Sequence, residues 1–158
     1  MSKLILKRSW YDLFANTLCL VLLIGILIYL IINWNSIPDK LPGHYNAVGE
    51  IDRMGNKGEL LVLPIINWLM YLGMTAVERF PSVWNTGVRV TEENRERVYR
   101  TIKNMLSTMK LIIVAVFSYL TINSARALPL SPGFLPAFLI LIFGSIILYI
   151  IRLVRVSK

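Results

Sequence analysis

The chain has 158 residues, 56% hydrophobic and only 16% charged, where a soluble domain carries about 25% charged residues. Its 17 Lys and Arg outnumber 9 Asp and Glu, giving a net charge of +8. A lone cysteine, Cys19, excludes an intramolecular disulfide and a cysteine-built metal cluster, and inside its apolar run it reads as a small packing hydrophobe.

The apolar residues are gathered into charge-free runs at 13–38, 60–77, 111–125 and 127–151. A hydrocarbon core about 30 Å thick needs about 20 helical residues to cross it. The pattern therefore predicts four transmembrane helices, near 12–34, 60–77, 105–127 and 134–154.

The basic head Lys3, Lys7 and Arg8 leads to the interfacial pair Trp10 and Tyr11. The apolar run that follows is too long for a signal-peptide core, and Asn33, Trp34 and Asn35 stand where a small-residue cleavage site would be. It reads as the first span. The loop 35–59 is rich in proline and glycine (Pro38, Pro42, Gly43, Gly49, Gly55, Gly58), which disfavours long helices and suits turns, short strands or a compact hairpin. It holds the single histidine, His44.

In the second span, Pro64 lies near the start, where a missing amide donor costs little. The Asn67 amide needs a partner in lipid and is expected to face another helix. The segment 78–104 is polar. Thr91 reads as a helix N-cap with Glu92 and Glu93 in the first turn. Val98, Ile102, Met105, Leu106 and Met109 then share one helical face, with Arg95, Arg97, Arg100 and Lys103 on the other. This predicts a basic amphipathic helix lying along a membrane surface. No breaker separates it from the third span, so a continuous helix is expected, with Lys110 snorkelling toward the headgroups. Pro129, Pro132 and Gly133 make a tight connection to the fourth span, which ends in Arg152, Arg155 and Lys158.

With the amino terminus inside, only Lys40, Arg53, Lys57 and Arg126 of the basic residues fall outside. The positive-inside rule thus favours both termini in the cytoplasm. The expected fold class is an all-α integral membrane protein in a single membrane domain, 1–158. It has four spans, an extracytoplasmic loop 35–59, and a cytoplasmic segment 78–104 carrying the amphipathic juxtamembrane helix. The positive charge then belongs beside anionic lipid. No nucleic-acid module surrounds the arginines, so nucleic acid is not an expected partner.

No cofactor is expected, the loop's polar residues reading first as turn caps; His44, Glu50 and Asp52 are the candidate ligands for a divalent metal. His44 and Asp52 could instead form an acid–base pair, or cap turns within the loop. No serine or cysteine nucleophile shares the loop's polar centre, and no glycine-rich phosphate cradle precedes a lysine and a hydroxyl residue.

Two stretches carry a family resemblance. Pro42, His44, Asn46, Gly49, Asp52 and Lys57, in LPGHYNAVGEIDRMGNK, resemble the hallmark of the bacterial membrane family called domain of unknown function 1648. Arg79, Phe80, Pro81, Asn85, Thr91, Glu92, Asn94, Arg97 and Tyr99 resemble the segment that follows in stand-alone members. Together the two stretches carry the likeness over residues 10–125. The same domain is similar to the amino-terminal part of a membrane protein that makes bacilli immune to a secreted killing peptide. The resemblance implies a bacterial plasma membrane and a sensing or immunity role.

Three functional expectations follow. The first is a binding or sensing protein, with His44, Asn46, Gly49, Asp52 and Lys57 as the outer recognition surface for a peptide. Asn85, Thr91, Glu92, Asn94 and Arg97 would face a cytoplasmic partner. The second is a small membrane enzyme, metal-assisted, built on His44 and Asp52. The third, a transporter subunit, is weaker because no charge lies deep in any run, where pumps keep ionisable groups. Four thin spans leave little interior, which favours a homodimer.

Overall fold

The computed structural model describes residues 6–158, so Lys3 of the basic head lies outside the described residues. Four long helices are joined around one small sheet: α1 (Trp10–Asn33), β1 (Lys40–Tyr45), β2 (Ile51–Asn56), α2 (Val62–Arg79), α3 (Arg95–Ala125) and α4 (Phe134–Ser157). All four helices are long and apolar enough to cross a membrane. By those physical criteria the chain is a multi-pass membrane protein. The expected all-α class needs correction, because β1 and β2 form an antiparallel hairpin in the 35–59 loop.

A capping box starts α1: Ser9 Oγ accepts from the Asp12 amide (3.1 Å), and Asp12 Oδ2 accepts from the Ser9 amide (2.8 Å). Its inward face runs Ala15, Cys19, Leu23, Ile26, Leu30, at steps of four and three. α1, α2 and α4 all pack on α3, which is the centre of the bundle. Leu23, Cys19, Tyr71 and Val114 form one apolar cluster, and Ile26, Leu30, Ile37, Leu41, Leu60 and Ala125 form another beneath the hairpin. No residue of α4 is fully buried: one side packs on α3, with Tyr149 bonded to Thr108, and the rest faces outward.

Regular α3 begins at Arg95, led in by a turn over 92–94 in which Asn94 is already in the right-handed helical region. Thr91 caps that turn as expected: its Oγ1 accepts from the Asn94 amide (3.3 Å), and Asn94 Oδ1 accepts in return from the Thr91 amide (2.8 Å). This is the same reciprocal capping box as at Ser9 and Asp12. Residues 95–104 run unbroken into the third span as the opening turns of the 31-residue α3, the continuity that the lack of a breaker predicts. At about 1.5 Å per residue, α3 is about 46 Å long, longer than the hydrocarbon core.

The larger correction concerns the face of α3 that turns inward. Thr101, Ser107, Lys110, Ser118, Thr121 and Ser124 are all buried. Lys110 does not snorkel: its side chain is 0% exposed. Its ammonium donates to Glu78 Oε2 (2.6 Å), Asn16 Oδ1 (2.8 Å) and Thr75 Oγ1 (3.3 Å). Glu78 Oε1 accepts from Ser107 Oγ (2.9 Å). Arg100 and Lys103, expected on an outer basic face, both reach Asp12 Oδ2, at 3.1 and 2.9 Å. Charge therefore does lie inside the bundle, contrary to the uncharged interior that the runs implied. Asn67 faces α3 as expected, its amide donating to the Val114 carbonyl (3.2 Å) and Ser118 Oγ (3.3 Å).

Removing one partner of a buried ion pair leaves an uncompensated charge, at a cost of about 3–5 kcal/mol. Lys110→Ala is expected to lose stability on that scale, measured by unfolding in detergent. Lys110→Met combined with Glu78→Gln is expected to recover most of the loss.

Candidate functional site

The candidate site grows from the hairpin. β1 and β2 pair from Lys40 opposite Asn56 to Tyr45 opposite Ile51, with a bulge between Pro42 and Tyr45 that places His44 opposite Arg53. Asn46 builds the turn: its Oδ1 accepts from the amides of Val48 and Glu50 (both 3.0 Å), and its Nδ2 donates to Glu50 Oε2 (2.9 Å). Gly49 completes it at φ +88°, a left-handed conformation open to glycine without strain.

The hairpin is clasped to the α3–α4 connection. Ser124 Oγ donates to the Pro42 carbonyl (3.0 Å), Tyr45 Oη to the Leu128 carbonyl (3.1 Å), and the Leu130 amide to the Gly49 carbonyl (2.8 Å). Lys57 is held inward, donating to the Ile37 carbonyl (2.8 Å) over the Trp34 ring. Arg53 bridges Glu59 (3.0 Å) and the Gly43 carbonyl (2.8 Å).

Between the hairpin, the start of α2 and the α3–α4 turn lies a cavity of about 510 Å³. Leu60, Leu63, Leu120, Leu130, Phe134 and Leu135 supply apolar wall, and His44, Asn46, Arg53 and Glu59 supply polar groups. Apolar walls with a few placed polar groups are the usual make-up of a small-ligand site. Of the expected recognition residues, His44 and Asn46 line this cavity, while Gly49, Asp52 and Lys57 do not. Sequence reasoning missed Arg53, Glu59 and the leucines, which no motif marks.

His44 Nδ1 lies 2.7 Å from Asp52 Oδ1, with the two side chains 65% and 42% exposed. The carboxylate orients the imidazole as an acid–base pair requires. The candidate metal ligands are not gathered: Glu50 is engaged by Asn46, and no group of three His, Cys, Asp or Glu side chains assembles among the described residues. Ser124 shares the cavity, but its hydroxyl is spent on Pro42 rather than on His44.

Of the expected partner surface, four residues are exposed and one is not. Asn94 is buried, donating to the carbonyls of Arg89 (3.1 Å) and Ser157 (2.9 Å), and so ties the start of α3 to the end of α4. Asn85, Thr91, Glu92 and Arg97 stay exposed.

Against known proteins, residues 21–67 match the family model described as Domain of unknown function (DUF1648). The chain carries a DUF1648 domain. The match spans the second half of α1, the hairpin and the opening of α2, so the cavity's hairpin wall belongs to the DUF1648 stretch. The second family-like stretch, from Arg79 to Tyr99, lies beyond it. An uncharacterized protein of Archaeoglobus fulgidus is 33% identical over 66 residues, which cover 37% of this chain and 36% of that protein. The chain thus aligns with about a third of that relative's length. No solved structure matches the chain.

A Cβ on Gly49 would stand 2.6 Å from the Leu130 carbonyl oxygen, at a φ that a side chain rarely adopts. Gly49→Ala is expected to loosen the hairpin clasp by about 1–3 kcal/mol. The measurement is amide exchange: faster exchange at the Leu130 amide, with protection in α1 and α3 unchanged.

Proposed function

We propose that the protein is a binding or sensing protein of the plasma membrane, whose hairpin cavity receives an apolar or amphipathic ligand such as a hydrophobic secreted peptide. The observation that carries this reading is the cavity itself, with leucines and Phe134 beneath a polar rim of His44, Asn46, Arg53 and Glu59. An apolar side chain would bury below, while a peptide carbonyl or terminus would meet the rim. The family resemblance supports the immunity or sensing form of this role in a bacterium.

The basic-residue count supports an orientation with both termini in the cytoplasm and the hairpin outside. A periplasm-active phosphatase reporter inserted near position 50 is expected to be active, and a cytosol-active reporter there silent. The reverse result would remove the outward-facing cavity. For the ligand, a photo-crosslinking amino acid at Leu63, inside the cavity, is expected to yield a discrete peptide adduct in cells. The same probe at Leu148, on the outward side of α4, is expected to yield only lipid.

A second reading is favoured by the 2.7 Å contact of His44 with Asp52: a small membrane enzyme in which that pair moves a proton on a substrate held in the same cavity. Its metal-assisted form requires purified protein to carry stoichiometric metal that His44→Ala loses. Equal, negligible metal in both removes that form.

A further inference from the structure

The opposite end of the bundle holds a second cavity, of about 310 Å³, between the start of α1 and the end of α2. Arg8, Asp12, Asn16, Thr75, Glu78 and Arg79 are among its lining residues. It is a groove with charge inside and apolar residues along it, since Leu13 and Leu20 also line it and are exposed at 53% and 37%. Trp10, 86% exposed, stands within one turn of Asp12. An exposed tryptophan at a helix end marks the headgroup layer, so the groove lies at headgroup depth and runs toward the acyl chains.

Two observations name what the groove lacks. Asp12 is 2% exposed, and Ser9, Arg100 and Lys103 all donate to its Oδ2. Its Oδ1 is buried with no hydrogen-bond partner among the described residues. A buried carboxylate oxygen without a donor is costly, and Asp12 lines the cavity together with Lys103, whose ammonium is already committed to Oδ2. The second observation is at the mouth. Arg8 and Arg79 are exposed, line the cavity, and have no carboxylate partner among the described residues. Glu78 needs nothing further, because Ser107 and Lys110 occupy its two oxygens.

A deep acceptor and two guanidiniums at the rim call for a ligand with an N–H cation on one side and an anion on the other. We propose that the groove seats the headgroup of an aminophospholipid, its primary ammonium on Asp12 Oδ1 and its phosphate between Arg8 and Arg79. The acyl chains then follow Leu13 and Leu20 into the hydrocarbon. Guanidinium suits phosphate by its fork of donors. The primary ammonium, unlike a trimethylammonium, has protons to donate. A purely anionic headgroup satisfies the arginines and leaves Asp12 Oδ1 orphaned. This site is independent of the hairpin cavity.

The test is lipid retention by native mass spectrometry. The full chain is first reconstituted in bilayer discs containing equimolar phosphatidylethanolamine, phosphatidylcholine and phosphatidylglycerol. Phosphatidylethanolamine is expected to be retained about tenfold over phosphatidylcholine, the worth of one charge-assisted hydrogen bond. In a headgroup series from primary amine through mono- and dimethyl to trimethyl, retention is expected to drop at the last step, where the final N–H is lost. That series leaves the protein unaltered, so it decides the matter even where Asp12→Asn does not fold. The surface double variant Arg8→Gln, Arg79→Gln is expected to lower retention of all three lipids while keeping the preference among them. Equal retention of the ethanolamine and choline lipids by the wild-type chain would overturn the proposal, as would preferential retention of phosphatidylglycerol or indifference to loss of both arginines.

Discussion

Lys110 is the point on which the bundle depends. Its ammonium has three protons, and the three acceptors it finds come from two other helices: Asn16 from α1, and Thr75 and Glu78 from α2. Water cannot substitute for them at a side chain that is 0% exposed. Buried charge is expensive unless it is paired and fully hydrogen-bonded, so α1 and α2 are held to α3 at a defined height and rotation. Apolar contacts between helices in lipid give little such definition, because the acyl chains are as apolar as the side chains they replace.

The same logic, in weaker form, holds the hairpin at the other end. There the ties run to main-chain carbonyls: Ser124 to Pro42, Tyr45 to Leu128, and Asn123 to Leu128 and Pro129. These bonds span the hairpin and the α3–α4 turn, and the cavity lies beside them. Its shape therefore follows the position of the α3–α4 turn. A ligand that shifted the hairpin would act first on the end of α3 and the α3–α4 connection, to which it is tied.

The spans were legible because a run without charge, such as 127–151, has few alternatives in lipid. The interhelical role of Asn67 was legible for the same reason: an amide in hydrocarbon has to find a partner. The inner face of α3 was not. Periodicity shows that Val98, Ile102 and Met109 share a face, but not that the polar residues between them turn inward. In a bundle bathed in lipid the usual inside-apolar rule weakens, and Lys110 could be placed only by knowing that Glu78 and Asn16 stand opposite. The cap at Thr91 was legible from its hydroxyl before an acidic turn, but not that Asn94 would return the bond or that regular helix would begin only at Arg95. Of the site, the motif marked His44 and Asn46. The leucines that make the cavity came from distant parts of the chain and carried no local signal.

The Glu78–Lys110 pair also bears on how the protein is made. The two residues are 32 positions apart, with Glu78 emerging from the ribosome first. Until α3 follows, Glu78 lacks the Lys110 ammonium, and at the end of α2 its carboxylate can stay in water. Burying it alone would cost several kcal/mol. Closure of this part of the bundle is therefore tied to the docking of α3 on α2.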